Sequence, residues 1–141
     1  MANHKYLKDA GFAREYWADT LPKDDERRPQ WKRERRTYGF DERETWSLKD
    51  DSLCWLYEHI KMFVDVFDIN PNYHKFKVDG KKMTQGQILN EILKKIEMYY
   101  NVNNCFFNEN GEDYTKHWLA QPEIAKEIWK LWGIVFPAMW W

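Results

Sequence analysis

The sequence predicts a mainly α fold, a single helical domain spanning residues 1–141 with one short β-hairpin around residues 73–84. Two observations carry this. Apolar residues recur at three- and four-residue steps in three long stretches, the signature of helices that bury one face. Only YHKFKVDGKKMT alternates, at Phe76 and Val78, and it contains Asp79-Gly80, a dipeptide suited to a two-residue hairpin turn. The length is that of one domain, able to bury roughly 70% of its unfolded surface. Within it, residues 1–38 read as a helical arm with a basic segment, and residues 39–141 as the core.

In chain order, KYLKDA and FAREYWADT are short helical pieces punctuated by Gly11, with Tyr6, Leu7, Phe12, Tyr16 and Trp17 available to dock them. An arm swapped onto a second subunit fits the same pattern. The next helix has Asp24 or Asp25 as its cap, Pro29 in its first turn and Gly39 as its stop. Residues 26–38 carry a net +4, while the whole chain is −1, so the remainder carries −5. This asymmetry is the clearest electrostatic feature of the chain.

Asp41-x-x-Glu44 resembles a capping box opening a short turn through Trp46. Ser47 or Asp50 then caps the central helix, with Asp50 and Asp51 at its positive end. One stripe of that helix holds Leu53, Leu56/Tyr57, Ile60, Phe63/Val64 and Phe67; a second holds Trp55, His59, Met62 and Val66. A helix apolar on most sides is expected to lie buried between others. Asp65 and Asp68, near its other end, are expected to face water or pair with lysines. Asn70-Pro71-Asn72 ends it. After the hairpin, Thr84-x-x-Gln87 is a second capping box. It opens a helix with Ile88/Leu89, Ile92/Leu93, Ile96 and Tyr99/Tyr100 inward and a Glu91–Lys95 pair outward. Cys105-Phe106-Phe107 reads as a tucked loop, with Asn110-Gly111 turning. A last helix starts near Tyr114 or Pro122, carries one stripe of Ile124, Ile128, Leu131 and Val135 beside another of Trp129, Trp132 and Phe136, and kinks or stops at Pro137, whose ring opposes the Gly133 carbonyl.

Leu, Ile and Val number only 9, 8 and 5, against nine Trp, eight Tyr and eight Phe. Each aromatic buries on the order of 150–250 Å², so the core and a binding surface compete for them. Cys54 and Cys105 form no CxxC pair and read as two buried thiols. No apolar run reaches membrane-spanning length and the start is not a signal peptide, so the expectation is a soluble, cytoplasmic protein with no membrane partner.

The chemistry-bearing inventory is short. His4, His59, His74 and His117 form no HxxxH or HExxH pair, so no metal site is expected. There is no GxSxG, Walker loop or GxGxxG. No catalytic residue and no cofactor is assigned, and a hydrolytic site would need residues from distant segments. Binding candidates fall in two groups. Arg27, Arg28, Lys32, Arg33, Arg35 and Arg36 around Trp31 form a combination that grips phosphates and stacks on bases. The bland alternative is a solvated helix neutralised by Asp41, Glu42, Glu44, Asp50 and Asp51. Trp129, Trp132, Trp140 and Trp141 are core, a self-association surface, or anchors for a partner or a base.

GFDERETWSL, the following WLYEHIKMF and the ending IWKLWGIVFPAMWW resemble a family of small uncharacterised proteins of tailed phages and prophages of Gram-positive bacteria. AGFAREYW and LPKDDERRPQWKRERRTYGF extend the resemblance over most of the chain. WSLKDDSL departs from it, where similar sequences have a shorter entry into the helix. The resemblance carries no assigned activity or site. It implies an accessory phage protein, acting in the cytoplasm of the infected cell, and favours host takeover or counter-defence. Together these observations predict a non-enzymatic, homo-oligomeric binding protein. Its partner would be a host defence protein or a small anionic, nucleotide-like ligand. A nucleic-acid-associated factor using the basic segment, or a small phage structural protein, is the alternative.

Overall fold

A computed structural model describes residues 5–12, 20–67, 74–100 and 114–139. The chain is mainly α with one two-stranded antiparallel hairpin, as the periodicity requires. Its elements are helix α1 (Lys5–Asp9), α2 (Arg28–Tyr38), a 3-10 turn (Glu42–Thr45), α3 (Leu48–Val66), strands β1 (Lys75–Val78) and β2 (Lys81–Thr84), α4 (Gln85–Tyr99), α5 (Tyr114–Val135) and a closing 3-10 turn (Phe136–Ala138).

The core forms where α4 is covered by α5 and α3. Ile88, Leu89, Ile92, Leu93, Ile96 and Tyr99 from α4 meet Leu53, Cys54, Leu56, Tyr57 and Ile60 from α3 and Ile128, Leu131 and Val135 from α5. Each such aliphatic side chain contributes about 2 kcal/mol on burial, so this layer dominates the stability. The α4 capping box is complete. Thr84 Oγ1 accepts from the Gln87 amide, and the Gln87 side chain accepts from the Thr84 amide at 2.9 Å. Lys95 and Glu91 pair on the outer face at 3.7 Å.

The hairpin pairs Phe76 with Met83 and Val78 with Lys81. Asp79 and Gly80 both have positive φ, +49° and +78°, which a twisted two-residue turn requires. Val78 is buried, and Lys130 from α5 reaches Asp79 at 2.6 Å, holding the turn on the helices. Pro122 lies inside α5, which starts at Tyr114. The proline removes an amide that would have bonded to the Trp118 carbonyl, on a stretch where Trp118, Leu119 and Pro122 are exposed. At the other end the α-helix stops at Val135, ahead of Pro137.

Helix α1 lies on its own chain's core. Leu7 is fully buried, and the Glu58 carboxylate accepts the Tyr6 and Leu7 amides at 3.0 and 3.1 Å. Gly11, at φ +96°, closes it with the paired bonds Phe12 N–H to Leu7 O and Gly11 N–H to Lys8 O, a Schellman stop. The other arm residues, Tyr16 and Trp17, lie outside the described residues, as do Asp68, Asn70-Pro71-Asn72, Cys105-Phe106-Phe107 and Asn110-Gly111.

Two local expectations change and a third holds by position only. The cap of α2 is Arg27, with no side-chain cap bond; Asp25 instead accepts from the Arg27 amide and guanidinium. The turn at Asp41 is capped by Asp41, but Glu44 does not close the box because its carboxylate is drawn to Arg35. Ser47 caps α3 by position, while its hydroxyl donates to Asp50. The larger correction concerns α3 itself. Leu53, Leu56, Tyr57 and Ile60 of its first stripe are buried and Phe63, Val64 and Phe67 half-buried, but Trp55, His59, Met62 and Val66 are exposed. α4 and α1 pack against α3, and among the described residues none of the second stripe joins the core cluster.

Candidate functional site

A groove of about 570 Å³ opens between the C-terminal end of α2, the first half of α3 and α5. Its aromatic walls are Tyr38, Phe40, Trp55, Trp129 and Trp132, with Leu48 beside them. Local chemistry brings them together. Gly39 stops α2 in the left-handed region at φ +83°, its amide bonding to the Arg35 carbonyl. That reversal leaves Tyr38 and Phe40 flanking the turn, 66% and 48% exposed, with ring centroids 6.1 Å apart. Trp55 stacks on His59, one helical turn on, at 4.0 Å, and the His59 ring nitrogen lies 2.7 Å from the Trp55 carbonyl. Trp129 reaches the groove from α5, while Trp132 is half-buried and meets Phe136 edge-on.

Arg35 and Glu44, two of the charged residues in the groove's wall, are already paired. Arg35 donates to Asp41 at 2.9 Å and also to Glu44. Arg43 donates to Asp41 at 2.7 and 2.8 Å. Burial pushes the Asp41 carboxyl up, yet the bonds from Arg43 and Arg35 outweigh it and hold it down to about 2. Asp41 is thus a buried carboxylate with two guanidinium partners, the arrangement that makes burial of charge tolerable.

The basic segment divides. Arg27 pairs with Asp25 at 2.9 Å, and Arg28 donates to the Pro22 and Leu21 carbonyls. Arg35 is engaged as above. Trp31 is only 2% exposed: its indole N–H donates to Glu42 at 2.7 Å, its ring meets Trp46 edge-on, and the Arg43 guanidinium lies 4.6 Å from it. Its ring is therefore used internally and offers no face for a base. Lys32, Arg33 and Arg36 are exposed, and no ion pair holds them among the described residues. Lys32 and Arg36 share one helix face with Arg33 beside them, turned away from Trp31.

Of the tryptophans singled out by sequence, Trp129 and Trp132 meet in the groove; Trp140 and Trp141 lie outside the described residues. Sequence reasoning passed over Tyr38, Phe40, Leu48 and Trp55. One signal was present: α3 carries two apolar stripes, and the second contains a histidine, which suits a surface better than a core. No group of three or more His, Cys, Asp or Glu side chains suited to a metal ion occurs among the described residues. Among them, no helix is long and apolar enough to cross a membrane. Compared with known proteins, the chain matches no family model, no curated protein and no solved structure.

Proposed function

We propose that the protein is a non-enzymatic binding protein, an accessory phage factor that captures a host defence protein in the groove between α2, α3 and α5. The observation carrying this reading is the exposure of Tyr38, Phe40, Trp55 and Trp129 around one apolar cleft. Exposed Trp and Tyr at the edge of a cleft are the residues that most often anchor partners. The cleft lies within the size range of ligand sites. Among the described residues its one lining cation, Arg35, is neutralised by two carboxylates, and Glu44 and Asp51 line the same walls. An apolar anchor from a protein is therefore better suited to it than a phosphate.

A nucleotide-like ligand is the second reading. It is favoured by the free Lys32, Arg33 and Arg36 near exposed aromatics.

Affinity capture from host lysate, with the wild type and a Trp55→Ala/Trp129→Ala variant side by side, tests the first reading. The expected result is one host protein retained in fixed ratio by the wild type and lost from the variant. Equal retention by both, or none by either, rejects the groove as the contact. Native mass spectrometry of the same preparations reads the second: a retained small molecule shifts the mass of the wild-type protein alone.

A further inference from the structure

Whether the acidic residues 41–51 consume the basic helix is answered unequally. Asp41 and Glu44 take Arg35, Asp41 also takes Arg43, and Glu42 accepts from Trp31. Asp50 accepts from Ser47 and from Tyr100. Asp51 is also engaged. None of these carboxylates is left to neutralise Lys32, Arg33 or Arg36. On α3, Lys49 is likewise exposed with no ion pair among the described residues, one residue from the lining Leu48. The result is an apolar cleft whose lining Arg35 and Glu44 are already paired, with exposed cations of α2 and α3 beside it.

We infer that the segment seated in this groove is an acidic stretch of protein chain bearing a bulky apolar anchor. The anchor enters between Trp55, Trp129 and Phe40, and flanking Asp or Glu side chains meet Lys32, Arg33, Arg36 and Lys49. This deepens the binding reading and rests on it. The distribution of charge favours a chain over a small anion. The free cations lie on the outer face of α2, while Arg35 and Tyr38 line the groove from its inner face. A helix with its side chains is about 10–12 Å across, so one ligand must extend over that width to use both. An extended peptide does so; a mononucleotide, whose phosphate sits next to its sugar and base, does not. Complementary charge of this kind raises the association rate and excludes wrong partners, while the buried anchor sets the lifetime.

Panning a random peptide library against the immobilised full chain tests the inference. Affinities of enriched peptides are then measured by fluorescence anisotropy at low and high salt. The expected sequences carry a Trp, Phe or Leu flanked by Asp or Glu. Their affinity falls about tenfold or more in a Lys32→Glu/Arg33→Glu/Arg36→Glu variant, and salt ceases to matter there. Binding is lost in Trp55→Ala/Trp129→Ala. Should that variant fail to fold by circular dichroism, Tyr38→Ala/Phe40→Ala, both at exposed positions, takes its place.

Apolar peptides without acidic bias, indifferent to the charge reversal, overturn this inference and leave the groove reading standing. Acidic peptides that bind the tryptophan variant as well as the wild type overturn the groove reading too. Displacement of the peptides by ATP or by a short oligonucleotide assigns the cations to phosphate and overturns the inference. An unenriched library overturns both.

Discussion

Asp41 is the residue on which the groove's geometry depends. It caps the turn after α2, and it binds Arg35 of the helix before it and Arg43 of the turn itself. Asp41→Asn keeps the shape but removes the charge, and should cost about 2 kcal/mol at neutral pH. The pH dependence follows from the depressed carboxyl. Unfolded, the group titrates near 4; folded, at about 2. Its contribution is therefore present above pH 4 and is lost as the pH falls through 2. Urea midpoints measured from pH 7 to 2 should fall less steeply below pH 4 in the variant than in the wild type; parallel curves would contradict the assignment. Gly39 matters for a different reason. No atom crowds the place of an added Cβ, but its φ of +83° is strained for any L side chain. Gly39→Ala should cost about 1 kcal/mol, seen as a lowered thermal midpoint.

At the scale of elements, α1 is the piece most easily separated. It is only five residues long, too short to persist alone. Two things hold it: burial of Leu7 and acceptance of two amides by Glu58. Replacing Glu58 by Ala leaves those amides without the carboxylate. Hydrogen exchange at Tyr6 and Leu7 should then quicken on the order of tenfold, while the amides of α4 keep their protection. Uniform quickening across α4 would mean that α1 is part of the cooperative core. By contrast α2 is tied to the turn that follows it by Arg35, Glu34 and Trp31, which reach Asp41, the Glu42 amide and the Glu42 carboxylate. Polar bonds and one buried indole position the wall of the groove that α2 supplies.

For the whole molecule, the core and the exposed aromatics of the groove belong to different layers. Ile92 sits at zero exposure between helices, and Ile92→Ala should cost about 3 kcal/mol. Trp129 is 44% exposed, and its truncation should cost about 1 kcal/mol or less. Chemical denaturation of both variants checks the contrast. A Trp129→Ala loss as large as that of Ile92→Ala would make Trp129 a core residue and remove it from the proposed binding surface. Such a separation lets a small domain carry exposed aromatics without giving up its fold.

Much of the fold was legible without coordinates. The long amphipathic helices, the Asp79-Gly80 turn, the Thr84/Gln87 box and the stops at Gly39 and before Pro137 all rest on short-range rules of backbone geometry and periodicity. Those rules act within a few residues, so the sequence by itself determined them. The site was less legible. Trp31 and Trp55 look alike in the chain, each an indole on an amphipathic helix, yet one is buried against Arg43 and Trp46 and the other lines a groove. Arg35 and Arg36 are neighbours, yet one is paired twice and the other is free. Only the tertiary structure decided these. Burial and pairing depend on which surfaces from distant segments reach a side chain: α4 and α1 pack against α3, while Trp55, His59, Met62 and Val66 on its second stripe stay exposed.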